Sequence, residues 1–180
     1  MGAGVMSHAE QSLPSQIPAC VITVSDSVSA GVNSDRSGPL AVELLTALGF
    51  VVTGPVVVPD GVDSVHKAVS AACRSGARLV FTTGGTGISP RDLTPEAVEG
   101  LVEARLSGVE AALLERNRQA GPLGMLSRPV VGISTRAAGA ALVVCAPGSP
   151  GAVRDTVEVL TPVLGHVLAI LDRDTFTSTE

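Results

Sequence analysis

Short apolar runs rich in β-branched residues alternate along this chain with longer stretches in which apolar positions recur at helical spacing. Residues 20–25 (CVITVS) read as a strand, a polar loop follows to Ser37, and Gly38-Pro39 opens a helix through Leu48 that Gly49 ends. The next strand covers 50–58. After Pro59-Asp60-Gly61 comes a helix to Arg74 with Val62, Val65, Val69 and Cys73 along one face, and Ser75-Gly76 closes it before a strand at 78–83. Beyond a glycine-rich turn the pattern predicts helices at 94–101 and 107–119, a loop at 121–128, and strands at 129–134 and 140–145. Ser149 then caps and Pro150 opens a helix over 150–160, and Pro162 starts a last helix to Leu171.

This β-α-β-α-β order, with near-continuous apolar strands, implies an α/β fold: a mostly parallel sheet covered by helices on both faces, a Rossmann-like three-layer α/β/α sandwich with right-handed crossovers. Ligands in such folds lie beyond the carboxyl ends of the strands. The loops after the strands are therefore where chemistry is expected.

The strand at 78–83 runs into Gly84-Gly85-Thr86-Gly87, followed by Pro90-Arg91-Asp92 and the helix start Thr94-Pro95-Glu96. Glycines let backbone N–H groups approach a ligand without Cβ obstruction, and a capped helix start beside them favours bound negative charge. The expected ligand is a phosphate. Two familiar phosphate motifs are excluded: no Gly-Lys-Ser/Thr follows the glycines, since the one lysine is Lys67, and Pro90 stands where a dinucleotide fingerprint needs its third glycine. Three Ser/Thr/Gly-Pro helix starts (Ser37-Gly38-Pro39, Thr94-Pro95, Ser149-Pro150) each follow strand and loop, so one sheet edge is expected to gather three positive helix ends into a polyanion site.

Composition narrows the classes. At 180 residues with 45% hydrophobic content, the chain suits one domain, at 19–172, between tails at 1–18 and 173–180. A net charge of −5 and three Phe without Trp or Tyr argue against nucleic-acid binding. The polar, Pro/Ser-rich first residues lack a secretion signal, and the apolar stretch 157–171 is broken by Glu158, Pro162 and His166, so a soluble cytoplasmic protein without membrane contact is expected. Cys20, Cys73 and Cys145 lack CxxC spacing and sit among small apolar residues, which reads as packing in a reducing compartment.

Asp26, Asp35, Asp60 and Asp92 all fall in loops after strands. A lone loop aspartate usually caps a turn. Two carboxylates about 4 Å apart repel by roughly 4 kcal/mol at an effective dielectric near 20, and phosphates add to that. A hard divalent cation, Mg²⁺ foremost, takes oxygen from one or two carboxylates and from phosphate, turning repulsion into a clamp. With no histidine in these loops to activate a nucleophile, phosphorus transfer between bound substrates is the chemistry that fits.

Ser25-Asp26 with Gly31, Asp35 and Ser37-Gly38-Pro39, Pro59-Asp60, the Gly84–Gly87 turn with Pro90-Arg91-Asp92 and Thr94-Pro95-Glu96-Ala97, Leu126-Ser127-Arg128 and Pro147-Gly148-Ser149-Pro150 together resemble the Mog/MoaB family of molybdenum-cofactor biosynthesis over about 19–172. The resemblance implies a molybdopterin-binding-domain fold, typically trimeric, and Mg²⁺-dependent transfer of AMP from ATP to molybdopterin with release of pyrophosphate. It implies a catalytic, Mg²⁺-holding pair at Asp60 and Asp92. It also implies phosphate contacts at Gly84, Gly85, Thr86 and Gly87, a nucleotide border at Pro147, Gly148, Ser149 and Pro150, and help from Asp26 and Asp35. Ser127 falls at a pterin contact, and Arg128 either faces the pterin phosphate or forms an interface salt bridge. A downstream molybdate-insertion protein is the implied recipient of the product. Where many members carry a basic residue after Ser-Asp and an aromatic one in the next loop, this chain has Ser27 and Val32-Asn33-Ser34. Two alternatives remain beside the transferase: a molybdopterin carrier without chemistry, and a nucleotide pyrophosphatase on the same fold.

Overall fold

Among the described residues, six strands form one sheet in the order β2-β1-β3-β6-β5-β4. They are β1 (Ile17–Val24), β2 (Phe50–Val58), β3 (Leu79–Thr83), β4 (Ala104–Arg105), β5 (Val130–Ile133) and β6 (Leu142–Ala146). The computed structural model describes residues 16–172. β1, β2, β3 and β6 run parallel, β5 is antiparallel to β6, and β4 is antiparallel to β5. The helices are α1 (Asp26–Ser29), α2 (Ser37–Ala47), α3 (Val62–Arg74), α4 (Thr94–Glu99), α5 (Ser107–Gln119) and α6 (Pro150–Leu171), with a 3-10 turn at Pro122–Leu126.

Strand alternation divides the core into two layers. Ala19, Val21, Leu79, Phe81, Leu142 and Val144 point to the face covered by α2, α5 and α6. Cys20, Ile22, Val24, Val80, Val143 and Cys145 point to the face covered by α3 and α4. This is the expected three-layer sandwich. The apolar stripe of α3 is Val65, Val69 and Ala72, while Val62, expected within it, is 39% exposed. All three cysteines are free; Cys20 and Cys145 are buried, and burial pushes the Cys145 thiol up to about 12.

Four local expectations are corrected. Pro162 starts no helix but lies within the 22-residue α6, because Val153, Val157, Leu160, Leu164 and Leu168 form one buried stripe whose packing outweighs the backbone bond that proline removes. β1 begins at Ile17, three residues before the expected start, and pairs Ile17 with Phe50 and Pro18 with Val51; residues 1–15 of the expected N-terminal tail, and 173–180, lie outside the described residues. β4, two residues long, is too short to leave a pattern. α1, a single turn, lies inside the expected polar loop, where the Ser25 hydroxyl accepts the Val28 N–H at 3.3 Å.

The chain leaves β1 toward β2 on one side and returns through β3 on the other. The strand order thus reverses between β1 and β3, where the loops diverge and open a crevice at the carboxyl ends.

Candidate active site

A cleft of about 700 Å³ opens at that reversal point. Its floor is the end of β1 (Thr23 to Ser25) and the turn Thr83 to Gly87. Its walls are Asn33 to Ser37 before α2, Asp60 after β2, Asp92, and Gly148 and Pro150 at the start of α6. The first residues of α2 and α6 therefore border one space, whereas the third expected helix start, Thr94-Pro95, is not among the lining residues.

Close packing dictates the glycine turn. Gly84 has φ +109°, and a Cβ there would lie 2.1 Å from the Val24 carbonyl oxygen. Gly85 has φ +63°, and its Cβ would lie 2.2 Å from Thr94 Oγ1 and 3.0 Å from Asp60 Oδ1. A Cβ on Gly87 would meet Asp92 Oδ2 at 2.7 Å. Asp60 and Asp92 thus press on successive parts of the same turn and share one cleft. The two aspartates named by the resemblance therefore stand at one turn.

Asp60 is held by a reciprocal pair: its Oδ2 accepts the Asp26 N–H at 2.7 Å, and its own N–H donates to Asp26 Oδ1 at 3.0 Å. Burial pushes the Asp60 carboxyl above its ordinary value, the Asp26 and Asp92 charges push it the same way, and the Asp26 N–H and the Arg91 charge oppose them. Such a carboxylate is short of positive charge. Asp92 Oδ2 accepts the Ser89 N–H at 2.9 Å, which turns the side chain back toward Gly87.

Asp26 and Asp35 are placed differently. Arg91 grips Asp26 through Nε at 3.0 Å and Nη2 at 2.9 Å, and its Nη2 also donates to the Asp60 carbonyl at 2.6 Å. These bonds hold the Asp26 carboxyl below its ordinary value. Asp26 is not among the cleft-lining residues; it braces Asp60 from outside. Asp35 borders the cleft, but its Oδ1 accepts the Ser37 and Gly38 N–H groups at 3.1 and 2.9 Å and its Oδ2 accepts the Thr23 hydroxyl at 2.7 Å. Its carboxylate thereby satisfies the first free N–H groups of α2.

Arg128 makes three contacts within the chain. Its Nε donates to the Gly87 carbonyl at 3.0 Å, its Nη2 to the Asp92 carbonyl at 2.5 Å, and its Nη1 to Glu96, whose carboxyl it holds below the ordinary value. Every guanidinium arm is thereby committed to the glycine turn or to the segment from Asp92 to Glu96. Ser127 Oγ lies 3.2 Å from Thr86 Oγ1. The two arginines, Arg91 and Arg128, fasten the loop carrying Asp92 from opposite sides. Sequence reading left Arg91 out, although Arg91-Asp92 stood in plain view, because the partner that gives it a role, Asp26, lies 65 residues away. Thr94 also departs from expectation: it caps nothing, since its N–H donates to the Gly85 carbonyl at 3.1 Å and draws its hydroxyl into a buried position beneath the turn without a partner.

Pro147 to Pro150 divide two spaces. Gly148 and Pro150 face the polar cleft, whereas Pro147 and Ser149 face a second cleft of about 570 Å³ that also takes in Ser127. Ser149 caps α6 by accepting the Ala152 N–H at 3.1 Å.

Among the described residues, no group of three or more His, Cys, Asp or Glu side chains could hold a metal ion alone. Two converging carboxylates with excess negative charge are the donor set of a hard cation that draws its remaining oxygens from phosphate and water. Asp60 and Asp92 fit Mg²⁺ on that ground. No helix among the described residues is long and apolar enough to cross a membrane.

The sequence pattern of the family described as "Probable molybdopterin binding domain" matches residues 20–166. Gephyrin from Dictyostelium discoideum is 35% identical over 162 residues, which are 84% of this chain and 22% of that protein. Molybdopterin adenylyltransferase from Pyrococcus furiosus is 36% identical over 165 residues, covering 92% of this chain and 96% of the relative. The crystal structure of a molybdopterin biosynthesis protein from Mycobacterium abscessus superposes with a TM-score of 0.77 at 40% identity, covering 86% of this chain and 95% of that one. The chain spans less than half the length of the first curated relatives it matches.

Proposed function

Since this chain belongs to the molybdopterin binding domain family, we propose that it is a nucleotidyltransferase that moves AMP from ATP to molybdopterin and releases pyrophosphate. The observation that carries the reading is the meeting of Asp60 and Asp92 at one glycine turn, inside one polar cleft.

Asp60 and Asp92 hold Mg²⁺, which when bound neutralises phosphate charge at the reacting centre. Backbone N–H groups of Gly84 to Gly87 cradle the nucleotide phosphates, and the positive ends of α2 and α6 add to that field. A phosphate oxygen of molybdopterin forms a bond to the α-phosphorus of ATP as the bond to the bridging oxygen breaks, and pyrophosphate departs with that oxygen. The protein supplies position and charge rather than a covalent intermediate. Asp26 with Arg91 fixes the Asp60 carboxylate, while Arg128 fixes the backbone on which Asp92 and Gly87 stand. Ser127 stays on the pterin side, at the second cleft.

The reading extends to residues 19–172 as one folding unit and to a cytoplasmic homotrimer that hands its product to a molybdate-inserting protein. Edge strand β2, which exposes Val51, Val56 and Val57, supports a subunit contact, and light scattering tests the trimer. Incubation with ATP, Mg²⁺ and molybdopterin, followed by mass spectrometry, tests the reaction. Adenylylated pterin and stoichiometric pyrophosphate are expected. Pterin binding without AMP transfer would instead mark a carrier, and consumption of ATP without pterin would mark a pyrophosphatase.

A further inference from the structure

Beside Thr94, five buried threonines among the described residues each bring the hydroxyl to a partner. Thr23 donates to Asp35 at 2.7 Å, Thr82 to the Val144 carbonyl at 3.3 Å, Thr83 to the Pro147 carbonyl at 2.9 Å and Thr156 to the Ala152 carbonyl at 2.7 Å, while Thr86 Oγ1 meets Ser127 Oγ at 3.2 Å. Thr94 is the exception: it is 0% exposed, and its Oγ1 has no partner. A hydroxyl stripped of water and left unpaired costs free energy, so its position calls for an explanation.

The backbone of Thr94 is fixed. Its N–H donates to the Gly85 carbonyl at 3.1 Å, and Ala97 and Val98 of the same helix sit in the core layer with Val24 and Val143. A threonine inside a helix can offer its hydroxyl to the carbonyl one turn back, as Thr156 does, but Thr94 is the first residue of α4 and no helical carbonyl precedes it. The hydroxyl turns to the glycine turn instead. The point where a Gly85 Cβ would stand is 2.2 Å from Thr94 Oγ1 and 3.0 Å from Asp60 Oδ1. The two oxygens flank one spot that only a glycine leaves open. Asp60 Oδ2 is taken by the Asp26 N–H at 2.7 Å, so Oδ1 is the oxygen that faces this spot.

We infer that Thr94 is a positioning residue of the cation site, whose hydroxyl donates to Asp60 Oδ1 across the space Gly85 leaves open once Asp60 takes a divalent cation. The inference rests on the reading of Asp60 and Asp92 as the cation-holding pair. A carboxylate oxygen that ligates a metal keeps a second lone pair. A hydroxyl on that lone pair fixes the plane of the carboxylate without bringing a positive charge that would compete with the cation. The same contact gives the Thr94 hydroxyl its partner, so cation binding and the burial of that group favour one another. Thr94 touches neither substrate nor cation; it acts through Asp60.

Mn²⁺, which takes the same oxygen ligands as Mg²⁺, is the probe, its free concentration read by electron paramagnetic resonance. Thr94→Val, which keeps the shape and removes the hydroxyl, should weaken Mn²⁺ binding about tenfold or more. Thr94→Ser should restore the affinity to within about threefold. Melting without metal gives the readout that a merely structural role would move the other way: Thr94→Val should melt at or above the wild-type temperature, because it deletes an unpaired group. Wild-type Mn²⁺ affinity in Thr94→Val, no recovery in Thr94→Ser, or a metal-free Tm clearly below wild type in Thr94→Val would each overturn the inference. Asp60→Asn and Asp92→Asn, titrated in parallel, judge the reading beneath it. If wild type binds Mn²⁺ no better than these two variants, the cation-holding pair falls and Thr94 with it; if they lose Mn²⁺ and Thr94→Val does not, Thr94 alone falls.

Discussion

The two clefts on either side of Pro147–Pro150 are built from opposite materials. One is walled by backbone N–H groups, hydroxyls and the carboxylates of Asp35, Asp60 and Asp92; the other takes in alanine, leucine and proline side chains together with Asn117, Ser127, Ser149 and Asp155. The polar cleft sets strained glycine backbone beside carboxylates of like charge, a repulsion that a bound cation would relieve. Groups suited to charge and groups suited to apolar surface are kept apart here, with a four-residue loop as the partition.

The most severe test of this division is Asp92→Asn, which keeps the side chain's shape and removes its charge. AMP transfer, followed by pyrophosphate release, should fall about 10²–10³-fold, while binding of unsubstituted pterin to the second cleft stays within twofold. A parallel loss at both clefts would erase the distinction.

Two glycine substitutions sharpen it further. Gly84→Ala forces a side chain onto φ +109° and against the Val24 carbonyl, so thermal melting should show destabilisation of at least about 1–3 kcal/mol. Gly87, whose φ is ordinary, would press its new methyl only on Asp92. Gly87→Ala should therefore melt nearly as wild type yet lose about tenfold or more in transfer, and equal stability losses in the two variants would contradict the packing argument.

Arg91→Ala frees Asp26 and with it the brace on Asp60. A loss of about 10–100-fold in transfer is expected, appearing chiefly as a higher Mg²⁺ requirement, and Arg91→Lys should recover little because a lysine cannot grip bidentately. If Mg²⁺ titrations of the two enzymes superimpose, the brace has no bearing on the metal.

Smallest is the effect on stability of the polar cleft's own charge. The folded-state value of Asp60 is raised, so its proton favours folding below the unfolded value, and that advantage is lost as pH rises through the folded value; at neutral pH the ionised group burdens the fold. Asp60→Asn should raise the metal-free Tm at pH 7 by about 1–2 °C, with the gap closing in acid, while abolishing transfer. A lower Tm at pH 7 would mean that the carboxylate is structurally favourable. Asp26 and Glu96 run the other way: their values are depressed, so their arginine contacts stabilise above the ordinary carboxylate range and weaken as pH falls through the depressed values.

Much of the polar cleft was legible in the sequence, because its parts are short and local: glycines after a buried strand, aspartates after others, and proline just inside a helix. Topology alone brings such loops together. What escaped reading depends on tertiary contact. Pro162 looked like a helix start because local propensity says so, and only the leucine stripe packed on the sheet reveals a continuous α6. Arg91 and Arg128 gain their tasks from partners in other loops, and Asn117 lies against the 3-10 turn, a contact that no local pattern announces. Apolar clefts leave little trace in sequence, since their linings resemble any core.

If Asp60 and Asp92 share one cation at the glycine turn, as proposed, binding of a nucleoside triphosphate depends on that cation. Calorimetric titration of the wild-type protein with ATP, in Mg²⁺ and in excess chelator, tests it most directly. The account predicts binding that requires Mg²⁺ and that loses this requirement, together with most of its affinity, in Asp60→Asn and Asp92→Asn. ATP binding of equal strength with and without Mg²⁺ in the wild type would contradict it.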